Sequence, residues 1–392
     1  MPQINITENS PNLSGAVQSQ GSSHVSVFMC GASFMQKLTE GDSPVPAYKQ
    51  YNSPQELNAE FDSKVLAGTS SGFSNSGPEK GFTGGTTLDR ELHSALNYLE
   101  YGGILIAATG ATSLAASNIK IDSAFYERKD KFGEVVNLVN IFEDVIGVVG
   151  SSFEFHNGTT GLYPLDFSGS GFFGLTGITG VSGSTFDNNI FSVIGRKERT
   201  RLYGGETANI PILMVSDAAG CLARTDSSFF PWYAPAGTIR GEVNTITKLY
   251  PSIDDTDITN LQGQFVNAFN NVLGIDGIFL LGDKTCELTV ENKKQIGVTR
   301  LINYVNRQIK PIVAEALFEL NDAETRSKIV AALTSTMEFV KSGRGVSSYV
   351  IVCDETNNPV SVQEARQIVV DLSFKPVFSV NQVSFRFVIN QS

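Results

Sequence analysis

The sequence VSVFMC at residues 25–30 is an apolar run with β-branched residues, and this pattern predicts a strand. SPQEL at residues 53–57 has the form of a capped helix start. Residues 88–99 have helical spacing and lead into the apolar run ILIAA at Ile104–Ala108. Strand, helix and strand in this order predict an α/β layer, so we assign residues 24–117 to the first part of a core domain.

Two polar segments lie next to these elements. Residues 1–23 are rich in Asn, Ser, Gln and Gly, and their one short alternating piece contains Ile4 and Ile6. They predict an extended N-terminal arm that has no core of its own. Residues 68–87 are crowded with Gly, Ser and Thr and predict a long exposed loop.

The middle of the chain has a different composition. Residues 118–202 contain many Gly, Phe, Ser and Thr, few helix formers, and short apolar runs such as IFSVI at Ile190–Ile194. This composition predicts a β-rich domain inserted between two parts of the core.

Two helices are predicted in the C-terminal half. Apolar residues over 296–317 follow helical spacing, and Pro311 is expected to kink this helix or to begin a new turn. The second helix is marked by Asn321 as N-cap, by Glu324 three residues later, and by Gly343 as its stop. Its apolar residues form one stripe, as expected for a helix that packs against a core.

Strands are predicted after these helices. One surrounds residues 349–353, and an alternating one at residues 368–374 stops at Pro376. We therefore assign residues 203–376 to the second part of the core, and residues 377–392 to a C-terminal arm strand.

The arm strand alternates apolar and polar residues. Its apolar positions are Val383, Phe385, Phe387 and Ile389. Two interpretations are open: the strand pairs within its own domain, or it completes a sheet edge of another subunit through its backbone donors and acceptors.

Composition argues against two classes of partner. The 392 residues carry a formal charge of −11, whereas a protein that neutralises phosphates needs Lys and Arg in local excess. No run approaches the roughly 20 apolar residues of a membrane span, and the residues after Met1 lack the basic and apolar regions of a signal peptide. We expect synthesis in a reducing cytosol, without direct nucleic-acid binding or membrane insertion.

The cysteines show no metal or redox spacing. They are Cys30, Cys221, Cys286 and Cys353. They lie far apart, without a CxxC pair, and mostly within apolar stretches, so buried free thiols are predicted.

Two glycine motifs match known patterns without their context. GSGFFG at residues 169–174 fits GxGxxG, but the sequence after it does not predict the helix that a dinucleotide site requires. GTSSG at residues 68–72 fits GxSxG, yet FSNSG at residues 73–77 cannot make the helix of a nucleophile elbow. The chain has no GxxxxGK[ST] segment, so no nucleotide motor is recognised.

Other catalytic or metal patterns are equally weak. The three histidines, His24, His93 and His156, are scattered and predict no triad. The acidic cluster DDTD at residues 254–257 fails the calcium-loop pattern, so a solvated loop is expected there. We predict neither a cofactor nor a metal.

A series of landmarks runs from Ser216 to Lys375. They are SDAAG at 216–220, ARTD at 223–226, PWYAPAG at 231–237 with RG at 240–241, GDKT at 282–285, LFELND at 317–322 with TR at 325–326, and VCDETNN at 352–358. Their order resembles the contractile-tail sheath proteins, above all those of large T4-like myoviruses. The family's usual paired arginines after GDKT appear here as Thr299-Arg300, and its usual arm motif is not legible in residues 1–23.

The resemblance implies a fold and a function. The expected fold is an α/β (α+β) sheath core formed by the N-terminal and C-terminal parts of the chain, with the β-rich inserted domain facing outward and extended arms at both ends. Sheath subunits of this family stack as six-fold rings around a tail tube, and their arms complete β-sheets in neighbouring subunits. The polymer contracts from a metastable extended state and drives the tube through the host envelope.

Partners and location are implied by the same resemblance. The partners are other copies of the chain, the tail tube protein, and the baseplate and tail terminator proteins. The expected location is the virion tail, assembled in the host bacterial cytoplasm. Candidate contacts to the tube or to neighbours are Arg300, Arg307, Lys310, Arg326 and Lys328. A solvated helix face is the alternative for these charges.

Two other functions remain open at the level of sequence. A sheath from a phage-derived injection system or bacteriocin would share the motifs. A tail-associated hydrolase or glycan-binding protein is suggested by the Gly- and Phe-rich middle, but the absence of a catalytic pattern favours a protein that is not an enzyme.

Overall fold

The computed structural model describes most of the two core parts. The described residues are 24–63, 87–115, 119–142, 144–150, 189–203, 206–246, 248–250, 253, 255–263, 265–272, 274–287 and 293–380. The predicted N-terminal arm, the loop at 68–86, the two glycine motifs, His156 and the four apolar positions of the C-terminal arm strand lie outside this part.

The centre of the fold is an eight-stranded sheet in the order β11-β10-β6-β5-β4-β1-β3-β2. Its strands are β1 Val25–Met29, β2 Tyr48–Tyr51, β3 Ile104–Ala108, β4 Ser123–Tyr126, β5 Ile146–Gly150, β6 Ile190–Ile194, β10 Val266–Val272 and β11 Ile275–Leu281. The neighbours from β3 through to β10 pair parallel, and β2 and β11 pair antiparallel at the two edges. The predicted strand at residues 25–30 is confirmed and lies inside this sheet.

Helices cover both faces of the sheet, which explains why its inner strands are almost continuously apolar. A Cβ atom added to Gly147 would meet Val135 of α4, whereas one added to Gly150 would meet Val215 of α5. Residues three apart on a strand point to opposite faces, so α4 and α5 lie on opposite sides. The helices are α1 Ala32–Leu38, α2 Pro54–Ser63, α3 Thr87–Leu99, α4 Phe132–Ile141, α5 Val215–Ser228, α6 Asp255–Gly263, α7 Ile296–Glu315, α8 Ala323–Ser342 and α9 Val360–Glu364.

The prediction of a separate insert from residue 118 is wrong where the structure can be compared with it. The elements β4, α4, β5 and β6 all fall within 118–202, yet their strands occupy the middle of the main sheet. The predicted boundary at 202 also falls inside a second, three-stranded sheet, β8-β7-β9. Its strands are β7 Arg196–Tyr203, β8 Glu206–Leu213 and β9 Lys248–Tyr250. The prediction failed because the segment between β5 and β6 is rich in Gly. This composition hides the apolar strands on either side of it, which belong to the main sheet.

Several predicted elements differ by a few residues. The acidic cluster at 254–257 contributes Asp255 as the first residue of α6 and is therefore not a simple loop. The N-cap of α8 is Asp322, whose carboxylate accepts a hydrogen bond from the Thr325 amide at 2.8 Å, and not Asn321. Gly343 is the C-cap, as predicted. Pro311 lies inside α7, which continues to Glu315.

All four cysteines are buried free thiols, as predicted. Burial raises the pKa of Cys221 and of Cys286 to about 12. These thiols therefore serve as small apolar side chains of the core.

A buried polar network joins α3, α5 and β7. The ammonium of Lys197 donates to Asp217 at 2.7 Å and to Asn97 at 2.8 Å, and both ionic side chains are fully buried. The Tyr101 hydroxyl donates to the same Asp217 oxygen at 2.8 Å. Burial lowers the pKa of Lys197. This network fixes the ring of Tyr101 against α5.

Substitution of Gly220 tests how tightly this contact is packed. A Cβ atom at Gly220 would lie 2.4 Å from the ring of Tyr101. We expect Gly220→Ala to lower the free energy of unfolding by about 1–3 kcal/mol, since the ring cannot move without breaking its hydrogen bonds. Urea unfolding monitored by circular dichroism measures the change.

Gly133 in α4 is the matched control, because nothing lies within 4 Å of an added Cβ atom. Gly133→Ala should raise the free energy of unfolding by about 0.4–1 kcal/mol, through a less flexible unfolded chain. Equal effects of the two substitutions would contradict close packing at Gly220.

Candidate functional site

Helix α7 lies across the amino ends of several parallel strands. Arg300, Asn303 and Arg307 are spaced three and four residues apart, which places them on one helix face. They lie near polar residues at the starts of four strands. His24, Asp122 and Asn189 directly precede β1, β4 and β6, and Asp144 lies two residues before β5. The amino ends of parallel strands meet at one edge of the sheet, so these side chains converge there.

Arg307 makes the largest set of contacts at this edge. Its guanidinium donates to Asp144 at 2.6 Å and to Asp122 at 2.5 Å. It also donates to the carbonyl of Ile121 at 2.6 Å, and Asn303 donates to the Asn189 side chain at 3.1 Å. One arginine therefore joins α7 to the starts of two adjacent strands.

A second set of contacts involves α5. The carboxylate of Asp226 accepts from Arg300 and lies 2.6 Å from Nδ1 of His24. The other ring nitrogen of His24 lies 2.8 Å from the hydroxyl of Ser123. We call His24, Asp122, Asp144, Asp226, Arg300 and Arg307 the amino-edge cluster.

The charges of this cluster stabilise each other against burial. Burial alone would raise the pKa of Asp122, but Arg307, His24 and Lys120 hold it well below its usual range. Burial would also raise the pKa of Asp226, but Arg300 and His24 lower that pKa below its ordinary value. Both carboxylates therefore stay ionised at neutral pH, with partners at hydrogen-bond distance.

The predicted contact residues fall into two groups. Arg300, Arg307 and Arg326 are buried, and each is bonded within the chain. Lys310 lies 3.9 Å from Asp144 with a mostly buried side chain, whereas Lys328 is 73% exposed beside Glu324. The guanidinium groups of Arg300 and Arg307 thus link parts of one chain, while Lys328 is on the surface.

The C-terminal lobe, residues 293–380, contains α7, α8, α9 and a separate two-stranded sheet. Its strands β12 Val346–Val352 and β13 Asp371–Pro376 pair antiparallel. Because this sheet has two strands, each has one edge without a strand partner in the described part of the chain. The residues Ile351, Leu372 and Phe374 pack on the lobe's apolar cluster, while Val350 on the other face is 60% exposed.

We call the part of the chain that carries the eight-stranded sheet the main body. Trp232 connects the lobe to this main body. It is buried, stacks on Phe230 with ring centroids 4.8 Å apart, and lies 5.3 Å from the ring of Tyr304 on α7. Its indole N–H donates to the carbonyl of Gly343 at 2.8 Å. The PWYAPAG landmark therefore serves folding.

The residues directly after β13 are hydrogen-bonded both to the lobe and to the main body. The amide of Val377 donates to the carbonyl of Gly345 at 3.0 Å, and the hydroxyl of Ser379 donates to the carboxylate of Asp283. Asp283 belongs to the GDKT landmark. The first residues of the predicted C-terminal arm, residues 377–392, are thus bonded to their own chain where the lobe meets the main sheet.

No catalytic arrangement was found in the described residues. His93 is buried in α3, and His24 is bonded within the amino-edge cluster. The residues that the structure describes contain no group of three or more His, Cys, Asp or Glu that could hold a metal ion. None of their helices is long and apolar enough to cross a membrane.

Comparison with known sequences shows which proteins the chain resembles. Residues 290–390 match the phage tail sheath C-terminal domain, and this range contains the whole of the C-terminal lobe. The chain is 30% identical over 220 residues to the tail sheath protein of Vibrio phage KVP40, a match that covers 54% of this chain and 32% of that protein. Over about half of its length the chain is similar in sequence to phage tail sheath proteins. The tail sheath protein of Enterobacteria phage T4 is also 30% identical, over 213 residues, 53% of this chain and 32% of that protein. The chain thus spans about a third of the length of these relatives.

Solved sheath structures have the same fold. The sheath complex of an extracellular contractile injection system, PVC, in its contracted state superposes with a TM-score of 0.68 at 18% identity, over 99% of this chain and 97% of that one. The contracted helical sheath of the anti-feeding prophage gives 0.64 at 14% identity, over 99% and 98%. The mixed α/β fold with its mostly parallel sheet is therefore that of contractile sheath proteins.

Sequence reasoning finds the arginines of the amino-edge cluster but not their partners. Asp122 and Asp144 carry no motif of their own, and His24 on its own suggests only a catalytic base. One signal is present: each of the three lies one or two residues before a strand. Polar residues at that position in several parallel strands must meet at one edge.

Removing a cluster carboxylate should destabilise the subunit in a pH-dependent way. We expect Asp122→Asn to lower the free energy of unfolding at pH 7 by about 3–5 kcal/mol, because it leaves the charge of Arg307 partly unmatched. The folded pKa of Asp122 is depressed, so its contribution is fully present above the unfolded value of about 3.9 and is lost as the pH falls below it. Wild type and variant should converge only below about pH 4.

Urea titrations between pH 3 and pH 7 measure this difference. Asp276→Asn is the control, since Asp276 is exposed on β11 and should show no such loss. A difference between wild type and Asp122→Asn that is the same at pH 3 and pH 7 would rule out the ionised pair as the cause.

Proposed function

We propose that this chain is a sheath subunit of a contractile phage tail, which polymerises as stacked six-fold rings around a tail tube. The observation that carries the proposal is the match of residues 290–390 to the sheath C-terminal domain, together with the sequence identity to the KVP40 and T4 sheath proteins. That region is the lobe with the small, two-stranded sheet.

Neighbouring copies are linked by strand addition to this sheet. Two-stranded sheets are marginally stable alone, and unpaired strand edges readily accept a further strand. The β12 and β13 edges are seven and six residues long, which is close to the length of the strand predicted from Val383 to Ile389. Ile4 and Ile6 of the N-terminal arm would add to an edge in the same way.

Arm exchange and a rigid subunit together permit contraction. Backbone pairing by the arms does not depend on contacts between cores, so cores can rotate and slide while the links persist. The amino-edge cluster and Trp232 keep each subunit rigid during this movement. An extended state that lies above the contracted one in free energy then supplies the work, without a nucleotide.

The proposed role is not enzymatic. In open α/β sheets ligands bind beyond the carboxyl ends of the strands, whereas the charged side chains of the amino-edge cluster lie at the amino ends and are bonded to one another. The curated relatives are named as sheath proteins. The other partners are the tube, baseplate and tail terminator proteins, and the location is the virion tail, assembled in the host cytoplasm. Lys328 is the exposed candidate for a contact with the tube or a neighbour.

A sheath of a phage-derived injection system is the second candidate. The likeness in fold to the contracted PVC sheath supports it, and the polymer would be built in the same way. Capsid and terminase genes near the coding sequence would favour the phage tail, and their absence would favour the injection system.

The arm strand can be tested by deletion. Removing residues 381–392 leaves every described element in place, including the contacts of Val377 and Ser379. We expect a folded protein that no longer forms tubes, because the added strand is lost. Negative-stain microscopy and sedimentation measure polymer formation, and circular dichroism measures folding.

Paired substitutions within the arm give a sharper test. Successive residues of a strand point to opposite faces, so Phe385→Lys with Phe387→Lys should abolish tubes while Ser384→Lys, on the other face, should not. Full-length tubes formed by the deletion variant would show that this strand is not the link between subunits.

A further inference from the structure

The turn between α7 and α8 presents two apolar side chains to solvent. Phe318 is 86% exposed and Leu320 is 76% exposed. Phe318 has φ of 68°, in the left-handed region that a bulky residue rarely adopts. The turn is held by a hydrogen bond of 2.8 Å from the Asn321 side chain to the carbonyl of Gln367. We call Phe318 and Leu320 the apolar knob.

Carboxylates surround the knob without stabilising the helix that ends there. Glu315, Glu319 and Asp322 are exposed. Asp322 caps α8, but Glu315 lies at the carboxyl end of α7, where the helix dipole disfavours a negative charge. Glu315 and Glu319 therefore cap neither helix.

A cavity of about 590 Å³ lies where the main body meets the lobe. It is lined mostly by apolar and aromatic side chains, among them Trp232, Tyr233, Ile239, Leu281 and Phe378. Pockets of about 300–1,000 Å³ accept a group of drug-like size, so one aromatic and one aliphatic side chain fit. We call it the Trp232 cavity.

Two arginines give the Trp232 cavity a positive rim. Arg240 and Arg344 both line it. Arg344 is exposed, has φ of 61°, and has no ion-pair partner in the part of the chain that the structure describes. Asp283 also lines the cavity, but it is buried and accepts the Ser379 hydroxyl, so the exposed charge is that of Arg344. This charge is opposite to that of the carboxylates around the knob.

Knob and cavity lie at opposite ends of one helical hairpin. Trp232 contacts the first turn of α7 near Gly297 and the end of α8 at Gly343. The knob joins the other ends of the same two helices. With 20 residues in each helix, the two features lie roughly 30 Å apart at 1.5 Å per residue. A single chain cannot bring them together, but two copies can.

We propose that the apolar knob of one copy inserts into the Trp232 cavity of the next, with Glu319 meeting Arg344. A knob and a complementary cavity at different places on one molecule make a head-to-tail contact, which can repeat along an open filament. The held turn keeps the ordering cost low. This contact adds to the strand exchange and rests on the proposed function, since it requires a polymer.

Truncating the knob is the first test. Phe318→Ala with Leu320→Ala should raise the critical concentration for polymerisation at least tenfold in pelleting assays. The matched control is Val45→Ala with Ile275→Ala, which removes two exposed apolar side chains of the main body, 68% and 46% exposed, and should change it less than twofold.

A charge swap identifies the partner. Arg344→Glu alone and Glu319→Arg alone should each raise the critical concentration severalfold, and the double variant should return to within about threefold of wild type. Rescue requires that the two residues meet on different copies. Variants that polymerise like wild type but lose binding to the tube protein would overturn the proposal and assign the knob to the tube.

Disulfide trapping gives a readout that does not depend on affinity. Leu320→Cys copies mixed with Ile239→Cys copies should form covalent dimers on oxidation within the polymer, whereas either variant alone should not, because the native thiols are buried. Polymers of the mixture without cross-links would refute the contact. Failure of wild type itself to polymerise would instead count against the proposed function.

Discussion

The buried guanidinium of Arg307 holds the two main parts of the subunit in one arrangement. It bonds Asp144 and Asp122 at the starts of adjacent strands, from the middle of a helix that belongs to the C-terminal lobe. Removing one partner of a buried charge pair is costly, while the intact pair adds little over an apolar packing of equal volume. These ion pairs therefore fix the position of α7 more than they add stability. Only one position of α7 lets Arg307 bond both Asp122 and Asp144.

This constraint determines what the lobe can transmit. One apolar cluster is shared by the strands β12 and β13 and by the hairpin of α7 and α8. Trp232 joins this cluster to the main body, because its indole N–H donates to the carbonyl of Gly343 at the end of α8. A pull on a strand added to the small sheet would pass through that cluster to α7, and from α7 through the amino-edge cluster into the main sheet. The eight-stranded sheet is stiff because both of its faces are packed, so force at the lobe moves the subunit as one body.

The sequence predicts those elements whose signal is local. The strand at β1, the helix α3 and the Gly343 stop of α8 each result from periodicity or capping, because a few neighbouring residues determine them. The placement of β4, β5 and β6 is missed, since a Gly-rich segment between strands says nothing about which sheet the strands enter. Asp322 displaces Asn321 as N-cap because both can cap a helix, and only the backbone path distinguishes them. The partners of Arg300 and Arg307 lie more than 70 residues away in sequence, so charge alone could not show that these arginines face inward.

A contractile polymer places opposite demands on the links and on the subunits. The links must survive a large change in the packing of neighbouring cores, which backbone pairing does because it is independent of side-chain contacts. The subunits must not absorb that change by deforming, since energy spent within a subunit is not available to move a tube. Hydrophobic packing alone is non-directional and tolerates small shifts, whereas the paired charges of the amino-edge cluster are satisfied over a narrow range of distance and angle. In the proposed polymer, the charges inside the subunit form its stiff part, and the open strand edges and the exposed turn at its periphery form its adjustable part.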